Sequence, residues 1–385
     1  MKNFSFHNPT RIHFGKGMIA RITDEIPRNA RILITYGGGS IKKNGTLDQV
    51  REALKDHPSI TEFGGIEPNP SFETLMEAVA LAKQENIDFL LAVGGGSVID
   101  GTKFIAAAIP FEGDPWTILS DKARIHQAIP AGNVLTLPAT GSESNSGSVI
   151  TRRATNDKLA FSSPEVYPQF AVLDPETTYS LPQSQTANGV VDAFVHVMEQ
   201  YLTTRENAPV QDRYAEGLLS TLIEQGPVVL KQPQDYESRA TIMWTANQAL
   251  NGLIGMGVPH DWSTHMIGHE ITALFGVDHA RTLAIVLPSV MHVMREEKAS
   301  KLLQYADRIW GIKEGSDQER MDAAIDKTRD FFEQMGIGTR LSDYGIEESA
   351  IANLVDQLKR HKMTALGEKQ NITPEVASQI LRHAA

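Results

Sequence analysis

The chain has 385 residues, no cysteine and a formal net charge of −11 at pH 7. This length favours two domains, and the acidic balance argues against nucleic acid or an anionic membrane surface as a partner. The absence of cysteine excludes disulfide bonds, a thiolate nucleophile and cysteine-based metal sites, and it fits a reducing compartment. Because no apolar run reaches transmembrane length and the first residues lack a signal-peptide core, the sequence predicts a cytoplasmic protein.

The first half of the sequence alternates short β-type runs with helical patterns. Predicted strands cover residues 4–6, 11–14, 31–36, 60–63, 89–93, 134–137 and 170–173, and a hairpin is predicted from 150–153 and 159–162. Predicted helices cover 47–54, 72–85 and 98–108. Alternation of this kind predicts a parallel sheet with helices on both faces. We therefore expect an α/β domain over residues 1–178.

Two Gly-Gly-Gly-Ser segments follow predicted strands of this domain. Backbone N–H groups in such a turn, placed at the positive end of a helix, can cradle a phosphate. Neither segment matches the G-x-G-x-x-G fingerprint or a P-loop. Together with Thr140-Gly141-Ser142-Glu143 after the next strand, they place three loops at one sheet edge, which predicts a nucleotide diphosphate ligand. The two segments are Gly37, Gly38, Gly39 and Ser40, and Gly94, Gly95, Gly96 and Ser97.

Beyond about residue 181 the strand signals vanish. Helical patterns cover residues 185–201, 211–224, 238–250, 261–275 and 319–335, with shorter ones to the end of the chain. The boundary between domains is expected within residues 177–182. We therefore expect an all-helical second domain over residues 179–385.

Two of these predicted helices carry polar pairs four residues apart within apolar sequence. Asp192 and His196 form one pair and His265 and His269 form the other, so each pair lies on one helix face. His279 follows the second pair beyond a helix break. A single pair of this kind is ordinarily solvated surface, but two pairs and a trailing histidine favour a divalent metal that satisfies them. Imidazoles with one carboxylate suit Zn²⁺ or Fe²⁺ better than Mg²⁺ or Ca²⁺.

Taken together, these motifs resemble the iron-containing (group III) alcohol dehydrogenases, and within them the NADP-dependent butanol dehydrogenase and broad-range aldehyde reductase branch. The resemblance runs essentially end to end, and it rests on the order and spacing of the second glycine segment through Asp100, the loop from Thr140, and the histidine set. It implies the dehydroquinate synthase-like fold, with an α/β dinucleotide-binding domain and a helical domain that holds the metal. It implies that the metal ligands are Asp192, His196, His265 and His279.

The resemblance also implies where the cofactor binds. NAD-using members place an Asp where this chain has Gly39, and the same loop offers the hydroxyl of Ser40 and the charges of Lys42 and Lys43, so NADP(H) is expected. One departure from the family pattern lies before Thr140, where Pro138-Ala139 stands in place of a longer threonine-rich run. Besides the eight residues of the glycine segments, the expected contacts are Lys43, Asp100, Thr136, Thr140, Asn145, Lys158 and Leu181.

The activity implied by the resemblance is hydride transfer between NADPH and short- to medium-chain aldehydes, with primary alcohols as substrates in reverse. A divalent metal would polarise the aldehyde carbonyl and make the alcohol more acidic. His269 resembles the family's non-ligand histidine near the substrate, which we expect to relay the proton; orienting a metal ligand is the alternative role. A homodimer is expected.

Two other classes of function stay open. A lyase of the dehydroquinate-synthase type would use NAD transiently and would need a basic cluster for a phosphorylated substrate. Arg152, Arg153 and Lys158 are the only concentrated candidates. A nucleotide-binding protein without turnover is the third class, and the intact set of metal ligands argues against it.

Overall fold

The computed structural model describes residues 1–204 and 207–385. The chain forms two compact units. The sheet unit comprises His7–Pro182 and Pro233–Asn247, and the helical unit comprises Met1–Phe6, Gln183–Gln232 and Gln248–Ala385.

A fully parallel sheet of six strands forms the centre of the sheet unit, and a two-stranded antiparallel hairpin accompanies it. The strands in chain order are β1 (Arg11–Phe14), β2 (Arg31–Tyr36), β3 (Ser59–Phe63), β4 (Phe89–Gly95), β5 (Ala131–Leu137), β6 (Gly147–Arg152), β7 (Asp157–Ser162) and β8 (Phe170–Leu173). The six-stranded sheet has the order β1-β8-β5-β4-β2-β3, and β6 pairs with β7. The predicted α/β class and the predicted hairpin are both confirmed.

Helices cover both faces of the sheet, because successive side chains of a strand point to opposite faces. In β2, Leu33 packs in one hydrophobic core, whereas Ile32 and Ile34 pack in the other. The first core includes Leu75 from α4, and the second includes Val50 from α3. The helices of this region are α1 (Ile22–Glu25), α2 (Ser40–Lys43), α3 (Thr46–Ala53), α4 (Phe72–Gln84), α5 (Gly96–Ala108) and α6 (Thr117–Ser120).

The rest of the described chain is helical. Its helices are α7 (Gln183–Tyr201), α8 (Pro209–Lys231), α9 (Tyr236–Ala249), α10 (Ser263–Phe275), α11 (His279–Val293), α12 (Arg295–Arg308), α13 (Asp317–Gln334), α14 (Ile351–Arg360) and α15 (Pro374–His383). The helical patterns of the sequence match α7, α8, α9, α10 and α13. They include no counterpart of α11, which begins at His279, or of α12. No helix in the described ranges combines the length and apolarity needed to cross a membrane.

One predicted strand is wrong. Residues 4–6 adopt no regular structure, and the side chains of Phe4 and Phe6 are 49% and 44% exposed. The segment belongs to the helical unit, where the Lys2 N–H donates to the carbonyl of Gly257 at 2.9 Å. Alternating aromatic residues favour a strand only when another strand is available to pair with them.

Candidate active site

Helix α7 presents Asp192 and His196 from its buried face. The two residues are one turn apart, and Oδ1 of Asp192 lies 3.6 Å from Nδ1 of His196. Val190, Val191 and Phe194 are fully buried around them. A carboxylate and an imidazole are thus held in a largely apolar setting, where polar groups need specific partners.

Two further helices bring histidines to Asp192. His265 lies in the first turns of α10, and His279 is the first residue of α11. Nε2 of His265 is 4.0 Å and Nε2 of His279 is 3.8 Å from Oδ1 of Asp192. The potential ligand atoms of these three residues all lie within 4.8 Å of one another.

This donor set fits a divalent metal. The separations of 3.8 and 4.0 Å do not exceed twice the usual distance of about 2.0–2.2 Å from Zn²⁺ to a nitrogen or oxygen ligand, so these atoms can reach one shared ion. His196 lies beside the three, with its ring stacked on that of His265 at a centroid distance of 4.7 Å. The structure therefore brings three of the four predicted ligands together and places the fourth against them; His196 as the fourth ligand stays a prediction.

His269 lies one turn beyond His265 on α10 and is buried. Its ring centroid is 6.3 Å from that of His265 and 5.3 Å from that of His279. Like His196, it is outside the group of three residues whose ligand atoms converge. The role of His269 as proton relay stays a prediction.

The backbone turns sharply where α10 begins. Trp262 occupies the position before the helix with φ 60° and ψ 6°, the left-handed region that residues with a β-carbon rarely adopt. Its indole meets the ring of His265 edge-on at 5.5 Å and that of His196 at 6.3 Å. The strained turn thus places an aromatic wall against two of the predicted ligands.

Glu199 is a site residue that the sequence interpretation missed. It is fully buried, it accepts a hydrogen bond from the Thr264 N–H at 2.7 Å, and it lies in close hydrogen-bond contact with Nδ1 of His265. Burial, reinforced by the nearby Asp261 carboxylate, raises the pKa of Glu199 well above its ordinary value. A signal was present in the sequence, because residues 192, 196 and 199 follow the i, i+4, i+7 spacing of a single helix face.

The buried ammonium group of Lys298 binds two carboxylates next to the start of α10. Nζ of Lys298 lies 2.6 Å from Asp261, 3.0 Å from Glu368 and 2.9 Å from the carbonyl of Leu202. Burial opposes ionisation of Asp261, but the Lys298 ammonium holds the pKa of that carboxyl below its ordinary value. Asp261 in turn accepts the Ser263 N–H at 2.8 Å, and its own N–H donates to the Glu199 carbonyl at 2.9 Å. The start of α10 is therefore fixed to α7 by main-chain and side-chain bonds.

In the sheet unit, the predicted cofactor loops follow β2, β4 and β5, which are neighbours in the sheet. Their carboxyl ends therefore meet at one edge, where α/β proteins bind nucleotides. Gly38 and Gly39 have open space where a β-carbon would lie, and the φ of Gly39 is +94°. This exposed backbone leaves room for a phosphate to approach, so the residues present fit a dinucleotide.

The second glycine segment is also required for packing. A β-carbon at Gly94 would lie 2.6 Å from the side chain of Val98, and one at Gly96 would lie 2.5 Å from Oγ1 of Thr140. A β-carbon at Gly95 would lie 2.9 Å from Leu137. These glycines let α5 and the loop from Thr140 approach β4 closely. Packing alone therefore explains the three consecutive glycines, without any ligand.

Asp100 and Lys103, both on α5, hold the loop that follows β5. Asp100 accepts hydrogen bonds from Oγ of Ser142 at 2.5 Å and from the Val149 N–H at 2.9 Å. Lys103 donates to Ser142 at 2.9 Å, to Oδ1 of Asn145 at 3.0 Å and to the carbonyl of Gly147 at 2.8 Å. Burial lowers the pKa of Lys103 to about 8, although Asp100 opposes the shift. Lys103 was missed in the sequence, where a lysine directly before the apolar run of residues 104–108 was the available signal.

The remaining predicted cofactor residues also belong to the sheet unit. Nζ of Lys158, on β7, donates to Oδ1 of Asn69 at 2.9 Å, and the Asn69 N–H donates to Oγ of Ser97 at 3.2 Å. Thr136 is buried near the end of β5, and Leu181 follows the last strand of the sheet. Lys43 is exposed at the end of α2, next to Lys42, whose ammonium lies 4.8 Å from the ring centroid of Tyr36.

The basic residues that a lyase would need for a phosphorylated substrate are already engaged in local contacts. Arg152 lies over the rings of Phe72 and Trp116, at 5.3 and 5.2 Å from their centroids. Arg153 pairs with Glu67 at 2.9 Å. Since Lys158 also has a partner, the arrangement is one of local structural contacts rather than an anchor for a phosphorylated substrate.

Comparison with known families agrees with this fold. Residues 9–175 match the family model of iron-containing alcohol dehydrogenases, and residues 186–385 match the model of the C-terminal region of the Fe-containing alcohol dehydrogenase family. The chain therefore belongs to the iron-containing alcohol dehydrogenases.

Individual relatives span the whole chain. The NADPH-dependent aldehyde reductase YqhD of Escherichia coli K12 is 61% identical over 387 residues, which cover 100% of both chains. A crystal structure of E. coli K-12 YqhD superposes with a TM-score of 0.99 at 60% identity, covering 100% of this chain and 99% of that one. NADH-dependent butanol dehydrogenase A of Thermotoga maritima superposes with a TM-score of 0.96 at 37% identity, again covering 100% and 99%.

Proposed function

We propose that the protein is a metal-dependent aldehyde reductase that transfers hydride from NADPH to short- to medium-chain aldehydes and acts on primary alcohols in reverse. The observation that carries this proposal is the convergence of Asp192, His265 and His279 on one point. The similarity to a relative named as an NADPH-dependent aldehyde reductase supports both the reaction and the cofactor.

We assign metal binding to Asp192, His196, His265 and His279. A bound divalent ion supplies Lewis acidity that polarises the aldehyde carbonyl. His269 donates the proton to the developing alkoxide, because it is buried beside the ligand histidines and imidazole is the commonest general acid–base group in enzymes. The mixed nitrogen and oxygen donors suit Zn²⁺ as well as Fe²⁺, and we include both in the proposal.

The cofactor is proposed to bind at the edge of the sheet, with the open backbone of Gly38 and Gly39 receiving the 2′-phosphate and Lys43 balancing its charge. The Thermotoga relative is named as NADH-dependent, so the family name alone does not decide between the two nicotinamide cofactors. The absence of an acid in the loop from Gly37 to Lys43 favours NADP(H).

Functionally, we divide the chain into a nucleotide-binding part over residues 1–178 and a metal-binding part over residues 179–385.

A homodimer is part of the proposal. Phe14, on the edge strand β1, and Trp244 form an edge-to-face pair at 5.6 Å, and both side chains are exposed. Exposed aromatic surface of this kind suits an interface. A cytoplasmic location is also proposed, since a chain without cysteine fits a reducing compartment.

The experiment that tests the proposal is an assay of NADPH oxidation with butanal, using native enzyme and enzyme stripped of metal by a chelator. We expect turnover by the native enzyme, loss on stripping, and recovery when Zn²⁺ or Fe²⁺ is restored. Butanal should also be reduced faster than an aldehyde that carries a carboxylate or phosphate. Turnover that is unchanged after verified metal removal, or a clear preference for the phosphorylated substrate, would overturn the proposal.

A further inference from the structure

The two ring nitrogens of His265 face different partners. Its Nδ1 is in close hydrogen-bond contact with the carboxylate of Glu199, and its Nε2 points to the site, 4.0 Å from Oδ1 of Asp192. A neutral imidazole carries its proton on one nitrogen only, and the hydrogen bond made by one nitrogen decides which form the ring adopts. When Glu199 is ionised, its carboxylate is an acceptor at Nδ1, which places the proton there and leaves the lone pair on Nε2.

Glu199 is itself held rigidly. One carboxylate oxygen accepts the Thr264 N–H at 2.7 Å, and the other meets His265, so a single carboxylate binds two consecutive residues of α10. The backbone of Glu199 is bound as well, because its carbonyl accepts the Asp261 N–H at 2.9 Å. Its position on the α7 face that carries Asp192 and His196 gives it a fixed relation to the other predicted ligands.

We propose that Glu199 is a positioning residue of the metal site, which fixes the tautomer and the ring orientation of His265 and increases the basicity of its Nε2. This inference rests on the metal site of the proposed function and not on the identity of the substrate. Carboxylates in this role typically change metal affinity by about 10- to 100-fold when they are removed.

A second buried carboxylate–imidazole pair provides a matched control. Glu270, on α10 like His265, is fully buried and forms a 2.6 Å contact with Nδ1 of His361. This is a second buried carboxylate–imidazole pair, but His361 is not among the residues whose ligand atoms converge. Glu199→Gln and Glu270→Gln therefore make the same chemical change in two buried carboxylate–imidazole pairs, and only the first affects a predicted ligand.

The test measures metal binding by full-length apoprotein without any substrate. Co²⁺ is titrated into wild type and both variants while its visible absorption is recorded, and Zn²⁺ affinity is measured by competition with a chelator. We expect Glu199→Gln to weaken Zn²⁺ binding by about 10-fold or more and to alter the Co²⁺ spectrum. Glu270→Gln should retain wild-type affinity and spectrum.

The outcomes separate the inference from the proposed function. If wild type binds metal and Glu199→Gln binds it equally well with an unchanged spectrum, the positioning role is wrong while the metal site stands. If both variants weaken binding equally, Glu199 acts only through general stability and the inference is again wrong. If wild type binds no metal, the proposed metal site fails and the inference fails with it. Should Glu199→Gln not fold, Glu199→Asp, which keeps the charge at shorter reach, serves in its place with the same expectation.

Discussion

Oδ1 of Asp192, in the middle of α7, lies 3.8 Å from Nε2 of His279, the first residue of α11, although three helices separate α7 from α11 along the chain. An ion bound between them would join distant parts of the helical unit. Because only the folded chain assembles these residues, metal binding would add to the free energy of unfolding.

The first prediction concerns metal content. Purified protein should carry about one equivalent of Zn²⁺ or Fe²⁺ per chain, and His265→Ala should lose both metal and turnover. Free metal at about 100 times its Kd should stabilise the fold by about 2.7 kcal/mol, so the stripped protein should melt at a lower temperature. Elemental analysis and thermal unfolding check this. A His265→Ala protein with full metal content and the wild-type rate would contradict the proposed metal site.

The second prediction separates His269 from the ligands. Because its ring is near His279 but outside the converging group, His269→Ala should keep its metal and lower kcat by about 10²-fold. Steady-state kinetics and metal analysis on one preparation provide the measurement. Loss of metal instead would make His269 a ligand, and His265 or His279 would then need another role.

The third prediction concerns cofactor choice. Gly39→Asp should shift the ratio of kcat/KM for NADPH over NADH toward NADH, since a carboxylate repels the 2′-phosphate and can accept a hydrogen bond from the ribose hydroxyl. The structure leaves space for the new side chain, but the φ of +94° adds backbone strain of about 1–2 kcal/mol. Gly39→Ala, which carries the strain without the charge, is the control. An equal shift in both variants would assign the effect to the backbone, and no shift in either would place the 2′-phosphate elsewhere.

The fourth prediction concerns Lys103. Because its ammonium binds Ser142, Asn145 and Gly147, Lys103→Met should loosen this loop and raise the KM for NADPH severalfold while metal content stays unchanged. Initial rates at varied NADPH and saturating aldehyde measure this KM. A variant with wild-type KM would show that the loop keeps its shape without the lysine.

The fifth prediction is a pH dependence of stability that also arises from Lys103. Its pKa is about 8 in the folded chain and 10.5 in the unfolded chain, so between these values the unfolded state binds more protons. Stability contributed by this group therefore rises with pH through that window, and it is constant below and above it. In Lys103→Met the free energy of unfolding should rise less between pH 8 and 10 than in wild type, as measured by denaturant titration at each pH. Parallel curves would contradict the shifted pKa.

The sequence predicted most of what depends on local pattern. Apolar runs bounded by glycine located β2 and β4 within two residues of their observed bounds, and the pairs at 192/196 and 265/269 marked the buried faces of two helices. It did not show that His279 begins a helix, because the apolar stretch after it has no separate start signal. Glu199 and Lys103 were missed for a different reason: each acts on residues far along the chain, and only the fold brings those partners together.

At Trp262, thermal stability and function favour different residues. Glycine at this position would relieve the left-handed backbone, at φ 60°, of the ~1–2 kcal/mol that a β-carbon adds, although part of that gain would be offset by the greater freedom of the unfolded chain. The same change would delete the indole that lies edge-on to His265 and His196. A search for heat-tolerant variants that scores only the melting temperature would therefore be drawn to this residue. Such a search should retain the tryptophan and seek its gains at left-handed positions remote from the histidines, such as Asn86 and Lys122 in the sheet unit.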